Sequence, residues 1–212
     1  MKTLIAVPCF DMIHTGFVKS FIDLEKPDGT AYAIITNTLI YEARNMIAQK
    51  SIEEGFDRVL WLDSDMIIPQ DALIMLNADM DTGKDFVSGL YFMRKPPVNP
   101  VVCDNIFRRV KEDGEVESAA SSYINYPKDT VFEIAGAGFG CVMTSADLLK
   151  RLVERYGAPF TPMMGMGEDL SFCLRATCIG AKMYCDSRIK CGHIGQTVFD
   201  EETFIMSKQV GT

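Results

Sequence analysis

Short apolar runs recur along the first 92 residues and alternate with segments of helical periodicity. Runs of this kind predict strands buried on both faces, and they comprise TLIAVP (Thr3–Pro8), AYAIIT (Ala31–Thr36), RVLWL (Arg58–Leu62) and DFVSGLYF (Asp85–Phe92). Amphipathic helices are predicted in EARNMIAQKSIEEG, which stops at Gly55, and in the segment that Pro69 and Asp71 open. Strands that alternate with helices at short intervals predict an α/β fold with a Rossmann-like, mixed but mostly parallel sheet flanked by helices.

The second half of the chain interrupts this alternation and then resumes it. Polar, weakly alternating arms around Asp113-Gly114 predict an irregular hairpin or surface excursion at about residues 103–131. The core resumes with the strand GCVMT, and Ser145 caps a helix that ends at Gly157. A Gly-, Pro- and Met-rich stretch predicts a flexible loop at about 158–167, before the helix EDLSFCLRATCIG and the last strand AKMYCD. We expect residues 1–212 to form a single domain.

Composition narrows the classes of function. The net charge of −8 disfavours broad, nonspecific binding to nucleic acid or anionic membranes. Seven cysteines without a CxxC pair or zinc-finger spacing favour free thiols in a reducing compartment. No apolar run approaches the roughly 20 residues that span a bilayer, and no cleavage site follows the first apolar run. We therefore expect a cytoplasmic protein without a membrane span.

Two carboxylates follow the third predicted strand directly, in WLDSDM. Asp63 and Asp65 are two residues apart, so on extended backbone both side chains point to one side. Strand ends of this kind form the ligand-binding edge of open α/β sheets. Like charges so close favour a bound Mg²⁺ or Mn²⁺ ion, which takes carboxylate and phosphate oxygens. A solvated turn that caps the next helix is the simpler alternative.

Two further groups of polar residues stand late in the chain. Glu168 and Asp169 open a helix, where acidic side chains also serve simply to complement the helix dipole. His193 lies between glycines in KCGHIG; a lone histidine is more often structural, but a neutral imidazole also binds Mn²⁺-type ions.

Read in order, these segments resemble GT-A fold glycosyltransferases, especially the family 2-like enzymes. The resemblance rests on VPCFD, EARNMIA, FDRVLWLDSDM, GAGFGCVMTSADLL and GEDLSFCLRATCIGAKMYCDSRIKCGHIG, and it leaves the hairpin region unmatched. It implies the GT-A (nucleotide-diphospho-sugar transferase) fold and a metal-dependent enzyme that uses a nucleotide-sugar, with a UDP-sugar as the first expectation. The QxxRW motif of processive synthases is absent, so a single transfer is expected.

The resemblance also implies roles for individual residues. Nucleotide-sugar binding would involve Pro8, Cys9, Phe10, Arg44, Asp63, Ser64 and Asp65. The Mn²⁺ or Mg²⁺ ion would be held by Asp63, Asp65 and His193. Asp169, or its neighbour Glu168, would be the catalytic base that takes the proton of the acceptor hydroxyl. For Arg44, a surface position on an amphipathic helix is an equal alternative.

The residues after the fourth strand are candidates for the acceptor or diphosphate region. Tyr91, Arg94 and Lys95 follow this strand at the same predicted sheet edge as Asp63, although a solvated basic turn before Pro96 is the slightly stronger interpretation. The acceptor stays open among a glycan, a small molecule, a protein and a modified nucleobase, and the stereochemistry of transfer also stays open.

Three other functions remain as alternatives. LWLDSDMIIP has the shape of a haloacid dehalogenase-type phosphatase motif, but it follows two earlier βα units, and no partner lysine or late GDxxxD is evident. A sugar nucleotidyltransferase would need a glycine-rich first loop ending in Arg and Lys, which VPCFDMIHTG lacks. A non-catalytic nucleotide- or sugar-binding module of the same fold is the third.

Overall fold

The computed structural model describes residues 1–163, 165–195 and 198–209, and of Gln209 only the backbone. The first half contains β1 (Thr3–Pro8), α1 (Thr15–Asp23), β2 (Thr30–Ile35), α2 (Ile40–Glu53), β3 (Arg58–Leu62), β4 (Met66–Ile67), α3 (Ala72–Met80) and β5 (Phe86–Leu90). The second half contains β6 (Cys103–Val110), β7 (Val116–Ser122), β8 (Val131–Ile134), β9 (Cys141–Ser145), α4 (Ala146–Tyr156), α5 (Glu168–Cys178), β10 (Met183–Lys190), β11 (Gly192–Ile194), β12 (Val198–Phe199) and α6 (Glu201–Gln209).

Seven strands form the central sheet, in the order β2-β1-β3-β9-β5-β10-β8. Strand β9 runs antiparallel to both of its neighbours, and β8 runs antiparallel to β10. The other pairs are parallel, so five of the seven strands share one direction. This arrangement confirms the predicted α/β fold with a mixed, mostly parallel sheet.

Each face of the sheet packs against helices through its own core. One core joins α2, α4 and α5 to the sheet and is rich in aromatic rings, among them Trp61, Phe139, Phe160 and Phe172. The other joins α1 and α3 to the opposite face. The runs that form β1, β3 and β5 are buried on both sides because helices cover both faces. The run that forms β2, at the edge of the sheet, is only partly buried, so its prediction as a strand buried on both faces is wrong.

The structure adds elements that were not predicted from the sequence. Helix α1 buries Phe17, and Leu24 is buried directly after the helix; with Phe21 these residues have helical spacing, so a helical signal was present. Helix α6 was also missed. A small sheet, β12-β11-β4, lies beside the central one. The region around Asp113-Gly114 forms a hairpin in which β6 and β7 pair antiparallel. Of the predicted flexible loop at 158–167, Met164 lies outside the described residues.

Two further observations bear on the expectations from composition. All seven cysteines are free thiols, and only Cys178 is exposed. Among the residues that the structure describes, no helix is both long enough and apolar enough to cross a membrane.

Candidate active site

A cleft of about 750 Å³ opens at the carboxyl ends of β1 and β3. These strands are parallel neighbours, so the loops that follow them lie side by side, and the His14 amide donates to the Ser64 carbonyl at 3.1 Å. Ten of the residues predicted to form the site line this cleft: Pro8, Cys9, Phe10, Arg44, Asp63, Ser64, Asp65, Arg94, Glu168 and Asp169. The sheet topology therefore brings together residues that are up to 161 positions apart in the sequence, Pro8 and Asp169.

The segment from Asp63 to Asp65 forms a tight turn rather than a continuation of the strand. The Asp63 amide donates to the Gly140 carbonyl at 3.1 Å, and the Met66 amide donates to the Asp63 carbonyl at 3.2 Å. The turn leaves both carboxylates on the cleft but gives them different partners: Asp63 pairs with Arg44, and Asp65 pairs with Arg94.

Arg44 is buried, with 1% of its surface exposed, although it lies on a helix. Its guanidinium contacts Asp169 and lies 2.8 Å from Asp63 Oδ1 and 3.0 Å from Glu168 Oε1. Its Cζ also lies 5.3 Å from the centre of the Phe139 ring. The interpretation of Arg44 as a solvated surface residue is therefore wrong. The guanidinium ties α2, the end of β3 and the start of α5 together at the floor of the cleft.

The guanidinium and the carboxylates around it shift one another's pKa values. Burial opposes the charge of Arg44, but Asp169, Asp63 and Glu168 raise its pKa above the ordinary value. Burial raises the pKa of Asp169 to about 6; Arg44 opposes this rise, and the charges of Asp63 and Glu168 add to it. The Phe139 amide donates to Asp169 Oδ2 at 3.2 Å and fixes the orientation of the carboxylate.

His193 approaches Asp65 because β11 pairs with β4. His193 is opposite Met66 in this pair, and the Ile194 amide donates to the Asp65 carbonyl at 2.8 Å. The Nδ1 atom of His193 lies 2.7 Å from the Phe92 carbonyl oxygen. Since a carbonyl only accepts, Nδ1 carries a proton, and in the neutral ring Nε2 keeps its lone pair. This Nε2 faces Asp65 Oδ2 at 3.6 Å.

The surroundings of Asp65 lower the pKa of its carboxyl group. Burial opposes ionisation of the carboxyl group, but the neighbouring imidazole of His193 and the charge of Arg94 lower its pKa below the ordinary value. Asp65 is therefore a carboxylate in the neutral pH range, which is the form that binds a cation.

The fit of a metal ion can be tested on these residues. Within the described part of the chain, no group of three or more His, Cys, Asp and Glu side chains is arranged as a metal site. Asp65 and His193 do fit as a pair, because a ring N–H donated to a backbone carbonyl is the usual support of a ligating histidine. Mg²⁺ and Mn²⁺ sites on phosphorylated substrates commonly use few protein ligands, with substrate oxygens and water completing the shell. Asp63 is engaged by Arg44 instead.

Three predicted residues do not line the cleft: Tyr91, Lys95 and His193, which approaches Asp65 from β11. Tyr91 is 4% exposed and lies beneath the cleft, where its hydroxyl accepts a hydrogen bond from the Gly140 amide at 3.0 Å. A side chain at Gly138 would come within 2.3 Å of this hydroxyl. The sequence placed Tyr91 in the acceptor or diphosphate region, whereas in the structure the tyrosine supports the wall of the cleft from beneath. Lys95 is exposed and does not line the cleft.

The sequence analysis missed one wall of the cleft. Asp11, Met12, Ile13, His14 and Thr15 line it, as does Ile40. The first five follow β1 without interruption, so the rule that ligands bind at the carboxyl ends of strands would have included them. Phe10 and Met12 project from this wall and are 59% and 78% exposed.

Comparisons with known proteins give the fold but no family. No protein-family model matches the sequence, and no curated protein is similar to it in sequence. The crystal structure of A197 from STIV matches 92% of this chain and 86% of its own, with a TM-score of 0.65 and 18% identity. UDP-glucose pyrophosphorylase, crystallised with UDP-glucose, matches 99% of this chain and 98% of its own, with a TM-score of 0.51 and 8% identity. The chain thus shares the mixed α/β fold of these proteins, one of which is a nucleotide-sugar enzyme.

Proposed function

We propose that this protein is a metal-dependent glycosyltransferase of the GT-A fold, which moves one sugar from a nucleotide-sugar to an acceptor hydroxyl. The proposal rests on one observation: a pair of side chains suited to a cation and a pair of carboxylates lie at the same cleft. On one side Asp65 lines the cleft with His193 next to it, 3.6 Å away, as a pair that could hold a cation, and Glu168 and Asp169 present carboxylates at the other side.

The charge of the cleft supports a requirement for a metal ion. Five carboxylates and two guanidinium groups line it, an excess of three negative charges. A diphosphate carries further negative charge and would be repelled from such a cleft unless a cation accompanied it. Asp65 and His193 would hold Mn²⁺ or Mg²⁺, with Asp63 next to them in the turn.

The wall that follows β1 is suited to the nucleotide. Phe10 offers an exposed aromatic ring, and Pro8 and Cys9 supply backbone beside it. Stacking of a base on an aromatic ring contributes roughly 1–3 kcal/mol. A uridine nucleotide is our choice because a protein of similar fold was crystallised with UDP-glucose.

The chemistry follows from charge development during sugar transfer. The bond between sugar and phosphate breaks, so negative charge builds on the departing diphosphate, and a bound metal ion supplies Lewis-acid stabilisation of that charge. Asp169 takes the proton of the acceptor hydroxyl. Its pKa of about 6 leaves it ionised at neutral pH yet basic enough to accept a proton. Arg44 and the Phe139 amide hold it in place.

A sugar nucleotidyltransferase is the second candidate because UDP-glucose pyrophosphorylase has a similar fold. That reaction would need cationic residues in the first loop to hold a triphosphate. The wall after β1 instead carries Asp11 and His14, with no Lys or Arg between Cys9 and Thr15. The phosphatase alternative lacks support for a similar reason: among the described residues, no lysine lines the cleft near Asp63.

Product analysis separates these candidates from one another and from a binding module. The purified chain is incubated with a panel of nucleotide-sugars and Mn²⁺, and nucleotides are separated by chromatography. A glycosyltransferase releases nucleoside diphosphate, through transfer or slow hydrolysis, and Asp169→Asn should slow the release through transfer by about 10²–10⁴-fold. Formation of nucleoside triphosphate when pyrophosphate is added would indicate the nucleotidyltransferase. Tight binding without any turnover, whichever acceptor is supplied, would indicate the binding module.

A further inference from the structure

Strand β2 is the outermost strand of the central sheet on the side opposite β8. It pairs with β1 in parallel, and the Cys9 amide donates to the Ile35 carbonyl at 2.8 Å. Because backbone groups alternate sides along a strand, Ala31 and Ala33 also point their N–H and C=O groups toward β1. Those of Tyr32 and Ile34 therefore point away from the sheet. Within the described residues, no backbone or side-chain group hydrogen-bonds to them.

The side chains of β2 alternate between the two faces of the sheet. Ala31, Ala33 and Ile35 pack toward the core on the α2 side. Tyr32 lies on the α1 side, where its ring meets Phe21 edge-on at a centroid distance of 6.1 Å. The outward-facing residues are also exposed, Tyr32 by 66% and Ile34 by 43%.

This edge carries none of the features that usually protect a free strand. Proteins block exposed edges with charged residues, proline, bulges or a covering segment. The sequence TAYAII contains neither charge nor proline, and its pairing with β1 is regular over all six residues. The opposite edge differs: β8 carries Glu133, which pairs with Lys182, and the backbone next to β8 is bonded to Cys103 of β6.

We propose that β2 is a homodimer interface, in which two copies of the chain join their central sheets by antiparallel pairing of β2 with β2. A two-fold axis at Ala33 places Tyr32 opposite Ile34 of the second copy and Ala31 opposite its Ile35. This register keeps every side chain on its own face of the joined sheet, as a two-fold axis perpendicular to the sheet requires. The free edge of β2 can thus pair with the same edge of a second copy.

The same register satisfies the free backbone groups. Tyr32 and Ile34 of the facing strand become a hydrogen-bonded pair, which exchanges both backbone bonds, and the axis repeats this pair. The aromatic ring of Tyr32 then packs beside a β-branched side chain, a favourable cross-strand pair. Because β2 carries no charged side chain, antiparallel pairing brings no like charges of the two strands together.

The oligomeric state tests the proposal directly, without any substrate. Light scattering during size-exclusion chromatography should give twice the chain mass of 23.6 kDa. Ile34→Lys places a charge on the edge and should give a monomer with an unchanged circular dichroism spectrum. Val110→Lys is the matched control: Val110 lies on the hairpin, is 62% exposed, and its replacement should leave the dimer intact. A monomeric wild type at about 100 µM, or a dimer that Ile34→Lys does not dissociate, would overturn the proposal.

Cross-linking tests the register. At the two-fold axis the Cα atoms of the two Ala33 residues would be about 4.5 Å apart, within disulfide range. Ala33→Cys, in a Cys178→Ser background that removes the exposed thiol, should form a covalent dimer when oxidised glutathione is added. Ala31→Cys in the same background should not. Cross-linking through Ala31→Cys but not Ala33→Cys would contradict the proposed pairing.

Discussion

Nε2 of His193 lies 3.6 Å from Oδ2 of Asp65, and the pairing of β11 with β4 fixes this relationship. The two residues are 128 positions apart, yet the Ile194 amide is bonded to the Asp65 carbonyl itself. Backbone geometry therefore holds the imidazole and the carboxylate together before any ligand binds. Preorganisation of this kind reduces the cost of ordering side chains around a metal ion.

The chain contains two histidines, and they provide a matched pair of variants. His193→Ala should weaken the Mn²⁺-dependent binding of a nucleotide by at least about tenfold, because it removes one of the two proposed metal ligands. His14→Ala should change the Mn²⁺ affinity little, since His14 lines the cleft but has no contact with Asp65 among those described. Isothermal titration with Mn²⁺ and nucleoside diphosphate measures both. Equal loss in the two variants would argue against His193 as a ligand.

Replacement of Arg44 should destabilise the fold. Arg44→Met leaves Asp63, Glu168 and Asp169 without their shared cation, which should lower the free energy of unfolding by about 2–3 kcal/mol at pH 7. The carboxyl groups then repel one another, and the loss should shrink toward pH 4 because Asp169, whose pKa is about 6, becomes protonated. Urea unfolding at several pH values gives these energies.

Arg44→Lys is the control for this variant. It keeps the charge but loses the planar, multidentate contact, so its stability should lie between those of wild type and Arg44→Met. A variant Arg44→Met as stable as the wild type at pH 7 would show that the three carboxylates do not depend on Arg44.

Replacement of Asp169 should separate binding from chemistry. Asp169→Asn keeps the shape of the side chain but cannot accept a proton, so sugar transfer should fall by about 10²–10⁴-fold while donor affinity is kept. In the wild type the rate should rise as the pH increases through about 6, the pKa of Asp169, and then level off, because only the ionised form is a base. Steady-state rates across this range test both statements. A full rate in Asp169→Asn would remove Asp169 as the base.

A second carboxyl pair, distant from the cleft, predicts pH-dependent stability. Asp79 on α3 is 7% exposed and faces Asp186, which is held ionised by Arg188 at 2.8 Å. Burial, and then the charge of Asp186, raise the pKa of Asp79 to about 6. The folded state therefore favours protonated Asp79, and the wild type should lose stability as the pH rises from about 4 through 6.

Asp79→Asn tests this relationship, because an amide resembles the protonated acid. The variant should be more stable than the wild type by about 1–2 kcal/mol at pH 8, and the difference should disappear near pH 4. Asp28→Asn, at an exposed position, should show no such pH dependence. Thermal unfolding of the three proteins at pH 4, 6 and 8 provides the comparison. A wild type whose stability increases from pH 4 to 8, with Asp79→Asn following it in parallel, would contradict the raised pKa.

The central sheet could largely be predicted because most of its strands have a recognisable local sequence pattern. Runs such as RVLWL are apolar on both faces, and Ser145 caps α4 as expected by accepting a hydrogen bond from the Leu148 amide. The cleft could be predicted in outline because parallel strands place their carboxyl ends at one edge. The sheet position of β9, antiparallel between β3 and β5, has no local signal.

The environment of Arg44 could not be predicted in this way. Its partners Glu168 and Asp169 are 124 and 125 residues away, and only the packing of α5 against the sheet brings them near. The helix itself indicates a buried position, because Ile40, Tyr41, Ile47 and Ala48, three or four residues from Arg44, are apolar. The distant carboxylates that pair with the guanidinium leave no such local pattern. The buried position of Tyr91 could not be predicted for a related reason. The space that its side chain occupies is created by Gly138 and Gly140, which lie on a distant segment.

Thermal stabilisation by nucleotides tests the proposed donor site most directly. Wild type and Asp65→Asn are melted with a panel of nucleoside diphosphates and nucleotide-sugars, with and without Mn²⁺. A ligand at 100 times its Kd stabilises the native state by about 2.7 kcal/mol. We predict that a uridine nucleotide raises the melting temperature of the wild type only when Mn²⁺ is present, and that Asp65→Asn abolishes the shift. No shift with any nucleotide in either metal condition would contradict a nucleotide-sugar site in this cleft.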